Sequence, residues 1–168
     1  MAISIAKVKE LREKTGVGVM DAKNALEEAG GDIANAEKIL SEKGLASASK
    51  RSGRSTSEGR VVSYIHTGGR IGSMLEIKCE TDFVAKTKEF AELGKNIAMQ
   101  IAAMNPTYID RDSIPEDSNN VEDHEILMEQ EYIRDSSMII RDLVNETISK
   151  TGENIRINRF VRYELGDQ

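Results

Sequence analysis

The chain has 168 residues, enough for one or two small domains with cores of their own. Charged residues make up 31% and apolar ones 39%, the balance of a soluble globular protein, and no apolar run approaches the ~20 residues of a membrane span. The net charge of −6 is unevenly spread: residues 1–60 carry 11 basic and 9 acidic side chains, whereas 110–135 holds ten acidic residues against Arg111 and Arg134, a poor surface for phosphate backbones.

The opening residues Met1-Ala2-Ile3-Ser4 have no basic segment leading into an apolar one, so no secretory signal is expected. Three short helices follow. Ile5, Val8 and Leu11 recur about once per helical turn, Ala22, Ala25, Leu26 and Ala29 keep the i, i+3, i+4, i+7 spacing, and Ile33, Ala36 and Leu40 form a third stripe. Gly16 and Gly30-Gly31 separate them, and Asp32 suits the N-cap of the third. Residues 1–45 are therefore expected to be a three-helix domain. Residues 46–59, rich in Ser, Gly, Lys and Arg, have almost nothing to bury and read as a linker, helical at most at its start.

A hairpin should come next, from Arg60 to Thr67 and back from Ile71 to Cys79, turning at Gly68-Gly69. Ile71, Ser73, Leu75, Ile77 and Cys79 fall on one face of the return strand, the mark of a half-buried sheet. The pattern then predicts one long amphipathic helix, from about Val84 to Met104, with Phe90, Leu93, Ile97, Ile101 and Met104 inward, stopped by Asn105-Pro106. After an acidic loop, helices are expected over Val121–Glu131 and Ser137–Thr151, the second ended by Gly152. A last strand alternates Ile155, Ile157, Val161, Tyr163 and Leu165, with Arg159 interrupting that face. Residues 60–168 thus read as an α+β core, a small antiparallel sheet packed with helices.

Chemistry-bearing patterns are scarce. His66 and His124 sit in unrelated contexts with no ligand spacing to Cys79, and no phosphate-cradling glycine loop leads into a helix. No catalytic residue, metal site or cofactor is expected. Cys79, alone, cannot form an internal disulfide, which favours a reducing compartment and the cytoplasm. Its place at a strand end on an apolar face reads as a small buried hydrophobe ahead of a nucleophile. Two segments are odd for structure alone. Thr15-Gly16-Val17-Gly18-Val19-Met20 puts three apolar side chains at a helix junction, where they either plug the small core or meet a partner. In Glu80-Thr81-Asp82-Phe83, Thr81 or Asp82 can cap a helix. Phe83 lies seven residues before Phe90, so it either extends the core stripe or is left for a partner at its end. Patterning by itself favours the core.

Three blocks resemble the elongation factor Ts family. Val8-Lys9-Glu10-Leu11-Arg12-Glu13-Lys14-Thr15-Gly16-Val17-Gly18-Val19-Met20-Asp21-Ala22-Lys23 is similar to its N-terminal signature, Glu76-Ile77-Lys78-Cys79-Glu80-Thr81-Asp82-Phe83-Val84-Ala85 to its second, and the stretch from Gly152 to Gly166 to its C-terminus. The resemblance implies a ubiquitin-associated-like helical domain, then an α+β dimerisation-type core. It also implies a non-enzymatic exchange factor that binds elongation factor Tu, both GDP-bound and nucleotide-free, without direct nucleic-acid or membrane contact. It carries the wedge at the Tu nucleotide site to Thr81, Asp82, Phe83 and Val84, the grip of the N-terminal domain to Arg12, Val19, Met20 and Lys23, and a hairpin-tip contact to Arg70, Ile71 and Gly72. Val19-Met20 stands where a Met-Met pair is usual, and Gln100 where some members have histidine. A single hairpin and a single closing strand match the short forms of the family. Such a sheet leaves edges and an apolar face that a second copy can cover, so a homodimer is expected.

Overall fold

The computed structural model describes residues 3–166. Helices α1 (Ile5–Thr15), α2 (Val19–Glu28) and α3 (Ile33–Arg51) form the N-terminal bundle. Their ends follow local chemistry. Ser4 and Asp32 accept hydrogen bonds from the N–H of Lys7 and Asn35, and Gly16 takes the left-handed conformation after α1. Leu11, Ala22, Ala25, Leu26 and Ala36 are buried at the centre, with Val8, Val17 and Leu40 packed against them. Ile5, assigned to the first stripe, is exposed.

The segment expected to be a linker is largely structured. α3 runs on to Arg51, and strand β1 (Glu58–Ile65) already begins at Glu58, so only residues 52–57 lie outside an element. Ala48, inside that segment, is buried in the core, and a side chain at Gly44 would meet Ser149 Oγ at 3.2 Å. The small residues on this face of α3 let it lie close against α6 (Ile140–Thr151).

The core holds a three-stranded antiparallel sheet in the order β1-β2-β5, with β2 (Ile71–Cys79) central and β5 (Ile155–Glu164) beside it. The β1–β2 turn is longer than the two glycines suggested. His66 N–H bonds the Ile71 carbonyl, leaving residues 67–70 as the loop. Leu75, Ile77 and Cys79 point inward, as the alternation requires, onto helix α5 (Lys88–Met104). Gly94 is what lets α5 sit this low, because a Cβ there would stand 2.9 Å from Val62 Cγ2. Phe90, Leu93, Ile97 and Ile101 are buried, but Met104, counted with them, is exposed.

Three expectations fail for identifiable reasons. The long helix is two: α4 (Asp82–Ala85) ends at Lys86, and Thr87 recaps the chain by accepting from Phe90 N–H at 3.3 Å. Residues 121–131 form two 3₁₀ turns leading into β3 (Glu131–Tyr132), which pairs with β4 (Asp135–Ile139), so α6 begins at Ile140, three residues later than expected. That hairpin is pinned to α5 by Gln100, a fully buried amide bonded to Gln130 Oε1, the Glu131 carbonyl and the Ile133 N–H. Finally, β5 carries a bulge. Glu76 pairs with Arg159 but Ile77 pairs with Ile157, leaving Asn158 extra. One inserted residue exchanges the two faces of a strand. Ile155 and Ile157 face the core, whereas Val161, Tyr163 and Leu165 face outward and Phe160 turns inward.

Candidate functional site

The expected site residues fall on three separate elements. At the end of β2 the Cys79 thiol donates to the Thr81 carbonyl at 3.2 Å, folding the chain into a turn. Thr81, in extended conformation, is the N-cap of α4, and its Oγ1 accepts from Val84 N–H at 3.4 Å. Val84 and Ala85 are buried in the core and anchor the single helical turn. Asp82 and Phe83 point away from it, and the Phe83 ring is 77% exposed. The break at Lys86-Thr87 is the cause, since without a continuous helix the seven-residue spacing to Phe90 no longer places both rings on one face.

Asp82 is also outward, its carboxylate 2.7 Å from Lys86 Nζ. That hydrogen bond and the ammonium charge hold the Asp82 carboxyl below its ordinary range and raise Lys86. The turn is gripped from elsewhere in the chain. Glu153, in the bend between α6 and β5, accepts from the backbone N–H of Glu80 at 3.1 Å and of Thr81 at 3.0 Å, and from Thr81 Oγ1 at 2.6 Å. Glu80 Oε1 in turn accepts from Asn154 N–H at 2.7 Å. Sequence reasoning assigned Glu153 no role. It lies 72 residues from Thr81, and no local pattern joins the two.

The second group sits at the α1–α2 corner. Val17 turns into the bundle, while Val19 and Met20 are 52% and 61% exposed. Arg12 lies beside them and reaches the Val17 carbonyl at 3.4 Å through Nε, and Lys23 is held 3.8 Å from Glu27 on the surface. Of the three apolar side chains in that loop, one therefore fills the core and two are free of it.

The third group, at the hairpin tip, is less uniform. Arg70 is exposed, Ile71 half-buried, and Gly72 buried beneath Ile65, whose Cδ1 a Cβ would meet at 2.6 Å. The tip and the Thr81 turn close opposite ends of β2, a separation of roughly 26 Å for nine residues of strand.

No constellation for covalent chemistry gathers among the described residues. His66 bonds Tyr64 Oη at 3.0 Å on the exposed hairpin, and His124 pairs with Glu122 on a surface loop. Burial pushes the Cys79 thiol from 9.0 up to about 11, which leaves it protonated and a poor nucleophile at neutral pH. A hollow of about 790 Å³ between α1, α3 and α6 is lined by a mixture including Lys14, Glu37, Asp142 and Lys150. No described helix is long and apolar enough to cross a membrane.

Comparison with known proteins points one way. Residues 48–131 match the family described as Elongation factor TS. Elongation factor Ts of Thermotoga neapolitana is 47% identical over the whole of both chains. That of Thermoanaerobacter sp. (strain X514) is 49% identical over 98% of this chain and 96% of its own, and that of Caldanaerobacter subterraneus subsp. tengcongensis is 49% identical over 98% of each.

Proposed function

The chain belongs to the elongation factor Ts family, and from that premise we propose that it is a guanine-nucleotide exchange factor for elongation factor Tu, acting in the cytoplasm during translation elongation. It binds Tu with GDP and Tu without nucleotide, and releases GDP by mechanical and electrostatic disturbance of the nucleotide site, with no covalent step and no cofactor of its own. The observation that carries this reading is the Phe83 ring, 77% exposed on a turn whose neighbours are buried or hydrogen-bonded.

An exchange factor must bind the empty GTPase more tightly than the GDP form, and by linkage it then weakens GDP by the same factor. A ring that is buried only when the nucleotide site has shifted supplies this difference. Burying one aromatic is worth roughly 1.5–3 kcal/mol, about ten- to a hundredfold in nucleotide affinity. Asp82, ionised beside it, disturbs the groups around the Tu magnesium ion, and Thr81 and Val84 hold the presenting turn. The ubiquitin-associated-like bundle, residues 1–45, grips Tu through Arg12, Val19, Met20 and Lys23. The hairpin tip, Arg70-Ile71-Gly72, touches a second part of Tu. The end of α3 and residues 52–57 connect this grip to the sheet-and-helix core that begins with β1.

The core pairs with a second copy through the outer face of its sheet. Val61 and Ile65 on β1, Met74 on β2, and Val161, Tyr163 and Leu165 at β5 and just beyond are all exposed on that face. So contiguous an apolar surface favours being covered. Light scattering at micromolar concentration should give the dimer mass, and Met74→Lys should give the monomer mass.

The decisive test is release of fluorescent GDP from Tu. The protein should accelerate release, and Phe83→Ala should slow it at least tenfold with the melting temperature and the dimer mass unchanged. A stable Phe83→Ala variant that exchanges at the parental rate would end the wedge mechanism, and no acceleration by the parent would end the functional assignment.

A further inference from the structure

We propose that Glu153 is a positioning residue for nucleotide release, holding the Phe83 turn in the shape that enters the partner; this rests on the wedge reading of Phe83 given above. Helix α4 is four residues long, too short to hold itself, because a first helical turn fixes several dihedral angles for a single hydrogen bond. Its shape must be imposed from outside. From below, Val84 and Ala85 are packed into the core. From its head, both carboxylate oxygens of Glu153 are engaged. Oε2 accepts the N–H groups of Glu80 and Thr81, and Oε1 accepts the Thr81 hydroxyl. With its proton turned to Glu153, Thr81 Oγ1 is left to accept from Val84 N–H, so one carboxylate orients the cap and the cap orients the helix.

Glu153 is itself fixed. Gly152 ends α6 with φ of 75°, turning the chain so that the next side chain points back toward β2. Asn154, 2% exposed, donates its backbone N–H to Glu80 Oε1, closing a reciprocal clamp in which each turn's glutamate accepts from the other turn's backbone. The Asn154 side chain donates to the carbonyls of Ser52 and Arg54, at 3.2 and 2.8 Å, which ties the end of α3 to the same point. Three turns far apart in the chain thus converge beside Asp82 and Phe83. The ring itself remains largely exposed, so its direction is set by this clamp beneath it. A ring already aimed loses less conformational freedom on entering the partner than one on a loose turn, and that saving appears in the release step.

The test measures release of fluorescent GDP from Tu over a range of concentrations of the full-length protein, for Glu153→Asp, Glu153→Gln, Phe83→Ala and Phe83→Ala combined with Glu153→Asp. Asp keeps the charge but withdraws it by one methylene. Gln keeps the reach and a carbonyl acceptor, and the Thr81 hydroxyl can turn to accept from its amide. Glu153→Asp should lower the maximal rate about tenfold, with the half-saturating concentration within about twofold. Glu153→Gln should recover to within about threefold of the parent, and the double variant should be no slower than Phe83→Ala. Amide hydrogen exchange at Thr81 and Val84 should quicken in Glu153→Asp and stay near parental in Glu153→Gln. A parental maximal rate in Glu153→Asp, a multiplied defect in the double variant, or unfolding of both Glu153 variants would overturn the positioning role. If Phe83→Ala alone exchanges like the parent, it is the wedge reading that has failed.

Discussion

The bundle and the core each present bare apolar side chains, but on supports of different depth. The bundle closes over two leucines and three alanines, Leu11, Leu26, Ala22, Ala25 and Ala36. The core closes over Phe90, Leu75, Ile77, Leu93, Ile97, Ile101, Leu127 and Ile140, among others. Alanine lets helices approach closely but removes little apolar surface from water, so the bundle has a thin margin of its own. It gains from leaning on the core, where Gly44 and Ala48 of α3 lie against α6 and the sheet–helix interior. The proposed contacts differ to match. Val19 and Met20 sit on a corner tied by the long Arg12 bond to the Val17 carbonyl, whereas Phe83 sits on a turn clamped from its head and anchored from beneath. A grip tolerates a compliant support, because several side chains share it. A wedge does not, because its effect lies in one ring's direction.

The sharpest way to break this contrast is from within each core. Phe90→Ala empties the centre of the larger one and should cost about 3–5 kcal/mol, lowering the main calorimetric transition by many degrees. Leu26→Ala should cost about 2–4 kcal/mol, but in the bundle alone. The expected result is an early, separate transition for the N-terminal helices, with the core transition little moved. A single transition shifted as a whole would mean that the contact of α3 with α6 fuses the two parts into one cooperative unit.

A third separation uses pH. The Cys79 thiol is protonated in the folded core up to about pH 11, while in the unfolded chain it ionises near 9.0. Its contribution is full below pH 9 and is lost as pH rises from 9 to 11. The loss is about 2–3 kcal/mol for two units. Below pH 9 the parent should be the more stable of the pair, and its advantage over Cys79→Ala in denaturant melts should shrink as pH rises from 9 to 11, in the core transition only. The smallest effect belongs to the exposed corner. Met20→Ala should change stability by less than about 0.5 kcal/mol while measurably weakening Tu binding, which surface plasmon resonance would register as a faster off-rate.

Short-range chemistry was legible in the residues themselves. Asp32, Asn105 and Gly152 end or begin helices where their side-chain and backbone preferences place them. The inward face of β2 follows strict alternation, and the three motif blocks carry the family resemblance in the residues themselves. These features depend on a few neighbouring residues, which is why one sequence suffices. The exposure of Phe83 was not legible, because patterning favoured the core and only the recapping of the chain at Thr87 turns the ring out. Nor was the outward face of β5. The alternation of Ile157, Val161 and Tyr163 reads as one stripe until Asn158 is left out of the ladder, and a bulge is decided by which register the neighbouring strand accepts. Glu153 belongs with them. Its carboxylate acts on Thr81 across 72 residues of chain, and only when α6 folds back against the sheet do its donors exist in one place. Periodicity and capping are properties of a segment, whereas the aim of the ring, the choice of sheet face and the clamp are properties of segments that meet, and these the tertiary structure alone decided.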